Sequence, residues 1–430
     1  MLTREENERY TRVEKGTPCG ELMRRYWHPI AASGQLPEHG TKPVTILGER
    51  LVLYRDRSGR LGLVEERCPH RRGGMVFGIP EETGIRCAYH GWLFDGTGRC
   101  LEQPYEEIVD PGSTFKDRVR IGAYRVEELG GLIFAYLGPE PAPLLPRWDF
   151  FVDEGLIREI GWAVIPCNWL QCIENGVDGS HVPYLHGRFS NYVLEQLGQP
   201  HLRRNLKNYY VKMGWELHPY GVLKTHDPEG KSGQSVGNVL VFPYTDRQAD
   251  DSLQVRVPMD DTHTFFIWYY TFGAEGQAEL GIQEKLPQDP RRVSAHEVPV
   301  PEIDEAGNAP WKLLDNNSGQ DLVMWHSQGE IADRTKEHLG RGDAGVILYR
   351  KLLEAQIRIV EEGREPINTF RDPEANRSID TTVEKPGGFF GRLSDNGVNR
   401  TLGARKYSLI YREATRRIEG EEALSLPIHS

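Results

Sequence analysis

Cysteine is scarce in this sequence, six residues in 430. That is too few for a disulfide framework at this length, so the thiols are expected to be buried or to bind metal. No apolar run approaches the roughly 20 residues needed to cross a bilayer, and the mean hydropathy is −0.55. The opening stretch, MLTREENERYTRVEKG, is charged and has no secretory apolar segment. A cytoplasmic protein without membrane contact is the expectation. Basic residues are outnumbered, 52 against 63, for a net charge of −11 and a pI near 5.8. That balance leaves no footprint for nucleic acid. No G-x-G-x-x-G motif follows a strand pattern and opens a helix, so reducing equivalents must come from outside the chain. There is no internal repeat and no low-complexity tract.

What is present organises into two or three domains, as the length predicts. Residues 1–40 read as a helical lead-in, broken at Gly16-Thr17-Pro18 and resumed over Glu21–Trp27. From 41 to 150 the pattern is short strands and turns: Val44–Leu47, Arg50–Tyr54, Leu61–Val64 and Leu132–Leu137. Gly138–Pro146 is proline-rich and marks a boundary. Beyond it, Leu156–Ile165 leads into a helical run. Alternating segments follow at Tyr209–Leu217, Ser235–Phe242, Leu253–Pro258 and Thr262–Phe272, which predicts an antiparallel sheet. Residues 275–320 read as excursions. Gly345–Glu362 is a periodic helix, and the tail from 386 is loop-like.

The helical run Asn168–Gly187 carries Asp178, His181 and His186, spaced D-x2-H-x4-H. Two neutral imidazoles and a carboxylate suit divalent iron and leave coordination positions open. Three residues apart on a helix, Asp178 and His181 would share a face. Pro183 would bend the segment and could bring the two rings to one ion. Two ordinary histidines at a helix end are the plain alternative.

A second constellation lies upstream. Cys68-Pro69-His70 and Cys87-Ala88-Tyr89-His90 stand on two loops between strands. Four such ligands could hold zinc. One Cys and one His on each loop also suits a Rieske [2Fe–2S] cluster, with two thiolates on one iron and two imidazoles on the other. Gly73, Gly74 and Gly91 would permit tight loops around it.

These two boxes, followed by Asp178, His181 and His186, resemble a Rieske non-haem iron oxygenase over nearly the whole chain. The resemblance implies an α+β architecture: an all-β Rieske domain at 41–150, then a helix-grip catalytic domain at 151–430, an antiparallel sheet around a long helix. It implies a [2Fe–2S] cluster on Cys68, His70, Cys87 and His90, and a mononuclear Fe(II) on His181, His186 and a downstream carboxylate. Asp321, in the Gln320-Asp321 pair, is the expected third ligand; Asp333 is the rival, with His326 and His338 behind it. The segment around them is similar to the phthalate dioxygenase-like branch, which includes aryl O-demethylases. The resemblance further implies a head-to-tail homotrimer, or a dimer of trimers, in which Asp178 bridges His90 of one subunit to His181 of the next. The implied partners are an aromatic acid, O2 and a separate NAD(P)H-dependent flavin iron–sulfur reductase, directly or through a ferredoxin. Mono-oxygenation or O-demethylation is the expected reaction, with cis-dihydroxylation and a pure electron carrier as alternatives. Asn175, Val182, Leu185, Met324 and Trp325 are expected pocket walls. Arg188, Arg203, Arg204 and Lys207 are the expected cations for a substrate carboxylate.

Overall fold

The computed structural model describes residues 1–203, 210–228, 236–248, 252–273, 293–381 and 404–410. Two sheets fill its first part. Strands β1 (Trp27–Ala32), β2 (Thr41–Ile46), β3 (Glu49–Arg55) and β4 (Leu61–Glu65) join two later ones. The small strands β5 (Ile79–Glu81), β6 (Gly84–Arg86), β7 (Leu93–Phe94) and β8 (Cys100–Glu102) form a sheet of their own, in sequence order. With β9 (Ala123–Leu129) and β10 (Leu132–Tyr136) the first sheet has the order β1-β10-β9-β4-β3-β2. The hairpin turns are built by side chains. Asp56 accepts from the backbone N–H groups of Ser58 and Arg60, and Asp95 does the same for Thr97 and Arg99.

The helical reading of residues 1–40 needs correction. Helices do form at Arg4–Thr11 and Pro18–Met23, each capped by a threonine side chain. Trp27–Ala32, however, is a fully buried strand pairing antiparallel with β10, Trp27 opposite Tyr136. Pro29 explains the switch: it disfavours the helical region at His28, and both faces of WHPIAA are apolar enough to bury.

The second part is an eight-stranded sheet. Its strands are β11 (Ile157–Ile165), β12 (Tyr210–His218), β13 (Gly221–Pro228), β14 (Val236–Val241), β15 (Thr245–Arg247), β16 (Ser252–Pro258), β17 (Thr264–Phe272) and β18 (Ser294–Glu297). The order is β12-β13-β14-β15-β16-β17-β11-β18. All pairs are antiparallel except β11 with β18. The sheet curves around the helices Trp169–Val177, Asn317–His326 and Ala344–Glu361. The N-terminal helices pack on this assembly: Pro18–Met23 lies on Ala344–Glu361. Of the predicted excursion, 275–292 lies outside the described residues, and Ser294–Glu297 is no excursion but the edge strand β18; of the tail, 386–403 and 411–430 lie outside the described residues. No helix of the described residues is long and apolar enough to cross a membrane.

The helix Trp169–Val177 is held hard at both ends. Asn168 caps it, its side-chain oxygen accepting from Leu170 N–H while its amide donates to Thr11 and Asp261 carbonyls. Trp169, Leu170, Ile173 and Val177 are buried. On the flank, Glu174 receives Arg334 at 2.8 Å and Arg350 at 2.7 Å. Burial would raise the Glu174 carboxyl, but the two guanidinium groups hold it below its ordinary value. Glu174→Ala strands the buried Arg334 and leaves Arg350 only its pair with Glu337, and is expected to cost about 3–5 kcal/mol of stability. A Tm unchanged from that of the parent protein would contradict this.

Candidate functional site

The Trp169–Val177 helix stops one residue before the site. Asp178 caps it and bends its side chain forward, Oδ1 accepting from Ser180 N–H at 2.6 Å and Ser180 O–H at 2.7 Å. His181 therefore lies in the break, not on a shared helical face with Asp178 as the spacing predicts. The pair forms all the same, His181 Nδ1 to Asp178 Oδ2 at 3.0 Å. After Pro183 the chain winds as a wide π-helical turn, Tyr184–Phe189. Such turns rotate side chains relative to α-helical spacing, and this one faces His186 toward His181, ring centroids 5.1 Å apart.

The third group comes from 135 residues further on. Asp321, in the Asn317–His326 helix, places Oδ1 3.2 Å from His186 Nε2 and 3.8 Å from His181 Nε2. Both Nε2 atoms point inward because both Nδ1 atoms are taken outward. Gln320 donates its amide N–H groups to Ser190 Oγ and the Leu314 carbonyl, each at 2.8 Å. Its oxygen is thereby turned to His186 Nδ1, 3.0 Å away, which must donate. Asp178 can only accept, so His181 Nδ1 carries the proton too. Each imidazole presents an Nε2 lone pair to the same point as Asp321, the arrangement a metal ligand set needs. Burial pushes the Asp321 carboxyl up, but His186, His181 and Arg256 hold it below its ordinary value. Asn175 closes the group, its amide 3.3 Å from Asp321 Oδ1 and from His181 Nε2.

The upstream loops are closed alike. Cys68 N–H donates to Gly73 and accepts Arg72 N–H at its carbonyl; Cys87 N–H donates to Trp92 and its carbonyl takes Gly91 N–H, all at 2.8–3.0 Å. Of the three glycines expected to permit these turns, only Gly91 has a positive φ, +76°; in the first loop that conformation falls on Arg72, at +61°. The thiols of Cys68 and Cys87 are buried in one cluster. The rings of His70 and His90 lie 4.4 Å apart, nearer the surface, with His70 stacked on Trp92. Thiols thus pair with thiols and imidazoles with imidazoles. Among the described residues the one group of three or more such donors within 4.8 Å of each other is His181, His186 and Asp321. A single tetrahedral zinc would need its donors within about 4 Å of one another. The thiol pair and the imidazole pair could instead each hold one of two irons. Burial pushes the Cys68 thiol up to about 12, so a thiolate there requires a neighbouring cation.

Comparison with known proteins decides the family. Residues 26–111 match the Rieske [2Fe-2S] domain family, and residues 313–386 match the LigXa C-terminal domain like family. The chain is 37% identical to the 5,5'-dehydrodivanillate O-demethylase oxygenase subunit of Sphingobium sp. (strain NBRC 103272 / SYK-6), covering 88% of this chain and 86% of that one. The chain belongs to the Rieske oxygenase alpha-subunit family. It is also 31% identical to the phthalate 4,5-dioxygenase oxygenase subunit of Pseudomonas putida, over 86% of this chain and 89% of that one. In fold it is similar to the solved Pseudomonas putida CBB5 NdmA QL mutant with theobromine, at 19% identity and a TM-score of 0.57, covering 86% of this chain and 100% of that one. This Rieske oxygenase has an all-β Rieske domain and an α+β catalytic domain. Its cofactors are a [2Fe–2S] cluster and a mononuclear iron, and it works with a separate electron-transfer protein.

The other expected residues separate clearly. Asp333 is exposed and paired with Lys336 at 2.9 Å, far from the role of a buried ligand. Arg334 turns instead to Glu174. His326 is bonded to the Pro301 carbonyl at 2.7 Å, and His338 is exposed. Trp325 is buried against Phe266, ring centroids 5.3 Å apart, whereas Met324 faces outward. Val182 and Leu185 are half-buried. Arg188 is exposed over the Tyr184 ring, and Arg203 is paired with Glu195. Arg204 and Lys207 lie outside the described residues. Gln320 was missed as the group that orients His186, although the Gln-Asp pair containing it drew attention to Asp321.

Proposed function

We propose that His181, His186 and Asp321 hold the mononuclear iron, that Cys68, His70, Cys87 and His90 hold the cluster, and that the enzyme mono-oxygenates an aromatic carboxylate by O-demethylation or hydroxylation. The observation that carries the reading is the convergence of two Nε2 lone pairs and one ionised carboxylate, each imidazole fixed by a separate acceptor. Iron at that point supplies dioxygen activation, and the cluster supplies electrons one at a time. This chain's residues keep both imidazoles aimed through their Nδ1 atoms, and Asn175 offers an N–H beside them. For a methyl ether the balance is one O2, two electrons and two protons, giving a phenol, formaldehyde and water. The likeness to an O-demethylase subunit supports that direction; the phthalate dioxygenase relative supports cis-dihydroxylation as the second reading.

The proposal includes a head-to-tail trimer, or two such trimers, in the cytoplasm, served by an NAD(P)H-dependent flavin iron–sulfur reductase. Phe77, Tyr89, Tyr105 and Ile108 are exposed on the Rieske part of the chain, large apolar side chains that a neighbouring protein would cover. The test is a panel of methoxybenzoates and phthalates with a surrogate reductase, scored for formaldehyde, cis-diol and peroxide. Formaldehyde with a matching phenol is expected. Cis-diols alone would favour the second reading, and peroxide alone would sink both.

A further inference from the structure

The reading of an aromatic acid substrate requires a cation within the catalytic part, and the four basic residues expected from the sequence do not provide one among the described residues. The eight-stranded sheet does. Its registers put Lys224 of β13 beside Asn238 of β14, and Leu240, two residues on, beside Asp246 of β15. Asp246 pairs with Gln254 of β16, and Gln254 with Trp268 of β17. Side chains two apart on a strand share a face, so Lys224, Asn238, Asp246, Arg256 and Trp268 stand on one side of the sheet.

That side is the one turned to the iron ligands. A Cβ on Gly176, in the Trp169–Val177 helix, would lie 3.2 Å from Asp246 Oδ2. Trp268 packs in one cluster with Leu322 and Trp325 of the helix that carries Asp321. On its other flank Lys224 is paired in register with Trp215. The Trp215 indole N–H donates to the Val177 carbonyl at 2.7 Å, one residue before Asp178. Lys224 thus sits against the end of the catalytic helix, within the electrostatic reach of Asp246, Asp178 and Asp321.

Two cations share this face, and they differ in what they are committed to. Arg256 is fully buried, bonded to the backbone and side-chain oxygens of Gln254, and stacked over Phe266 and Trp325. Lys224 has no hydrogen bond and no ion pair within 4.0 Å to any described residue. Surrounding protein desolvates its ammonium and lowers its pKa, yet the residue keeps some accessible surface. The face it stands on is the one turned to the helices Trp169–Val177 and Asn317–His326. Asp246, Asp178 and Asp321 act on it only from beyond ion-pair distance, so an anion supplied by a ligand in direct contact would lower the cost of holding the ammonium there.

We propose that Lys224 is the specificity-determining cation that receives the substrate's carboxylate, with the aromatic ring extending from it toward the point where His181, His186 and Asp321 meet. The proposal rests on the aromatic-acid reading above. It excludes an uncharged aromatic as the preferred substrate and gives the sheet, not the loops after the catalytic helix, the task of choosing it.

The test uses the loaded enzyme and a panel of benzoates, methoxybenzoates and phthalates, each with its methyl ester. Dissociation constants and KM are measured for the parent, Lys224→Met and Lys224→Arg. The parent should prefer acid to ester for whichever ring it accepts. Lys224→Met should weaken acid binding by at least about thirtyfold, the scale of removing one partner of a buried charge pair, with ester binding changed by less than about twofold. Lys224→Arg should recover much of the preference. A merely structural lysine would shift acid and ester together, and that result overturns the proposal. A Lys224→Met enzyme that keeps the parent's acid preference overturns it while leaving the aromatic-acid reading intact. A parent that accepts esters and rejects every acid overturns both.

Discussion

Replacing Asp178 with alanine is expected to leave the iron content unchanged while product formation falls by at least about 10–100-fold, the range for losing a partner that orients a metal-bound imidazole. Asp178 is not itself placed among the three inward-facing donors. Its Oδ2 holds His181 Nδ1 from behind at 3.0 Å, and its Oδ1 is fixed by Ser180. Burial raises its carboxyl, but the bonds from His181 and Ser180 outweigh that and bring it down to about 2. It is therefore ionised at any working pH. Its side chain keeps some exposure, so a lone pair stays available to a group from outside. In the trimer proposed above, that group is His90 of a neighbouring copy. Two measurements separate the roles of Asp178. Loss of imidazole orientation alone would lower iron affinity; loss of the bridge would slow cluster oxidation in a single turnover with iron fully bound. Undiminished turnover in Asp178→Ala would end the bridging role.

The second large effect is on iron itself. Asp321→Ala should release the mononuclear iron and leave the two irons of the [2Fe–2S] cluster. The loss of affinity should exceed the roughly 10–100-fold that outer partners contribute. Asp333→Ala should keep all the iron, since Asp333 is exposed and serves only Lys336 and Thr335. Metal analysis and the visible and EPR spectra of the cluster read both variants at once. The converse pattern, iron lost from Asp333→Ala and retained by Asp321→Ala, would reassign the third ligand. Stability offers a control, because Asp321 is buried beside two imidazoles. An Asp321→Asn variant keeps the shape of the side chain and removes the charge, so a folded but iron-poor Asp321→Asn protein isolates the ligand role.

The cluster boxes were readable in the sequence because each is a short loop whose ligands lie two or three residues apart, inside one tight turn. The strands of the catalytic sheet were readable for a similar reason, since runs of β-branched and aromatic residues are local features, but the alternation expected over Thr262–Phe272 does not hold: every residue of Thr264–Phe272 except Phe265 is buried, so both faces of that strand are covered. Where local pattern misled, a competing local rule had won. ELMRRYW has helical spacing, but Pro29 and the apolar WHPIAA behind it draw the chain into β1. Asp178 and His181 have i,i+3 spacing, yet the helix stops at Val177 and Asp178 makes its contact across a turn.

From the amino-acid order alone came the two ligand sets, their sequence along the chain and the class of chemistry they imply, since ligand type and close spacing are properties of short segments. Only the tertiary structure brought Asp321, and not Asp333, to the two imidazoles, set Gln320 against His186 Nδ1, and placed Lys224 on the sheet face turned to the catalytic helix. Those outcomes depend on which faces of distant strands and helices meet. Register fixes that meeting, and register is set by the burial of whole faces rather than by any residue's neighbours in sequence.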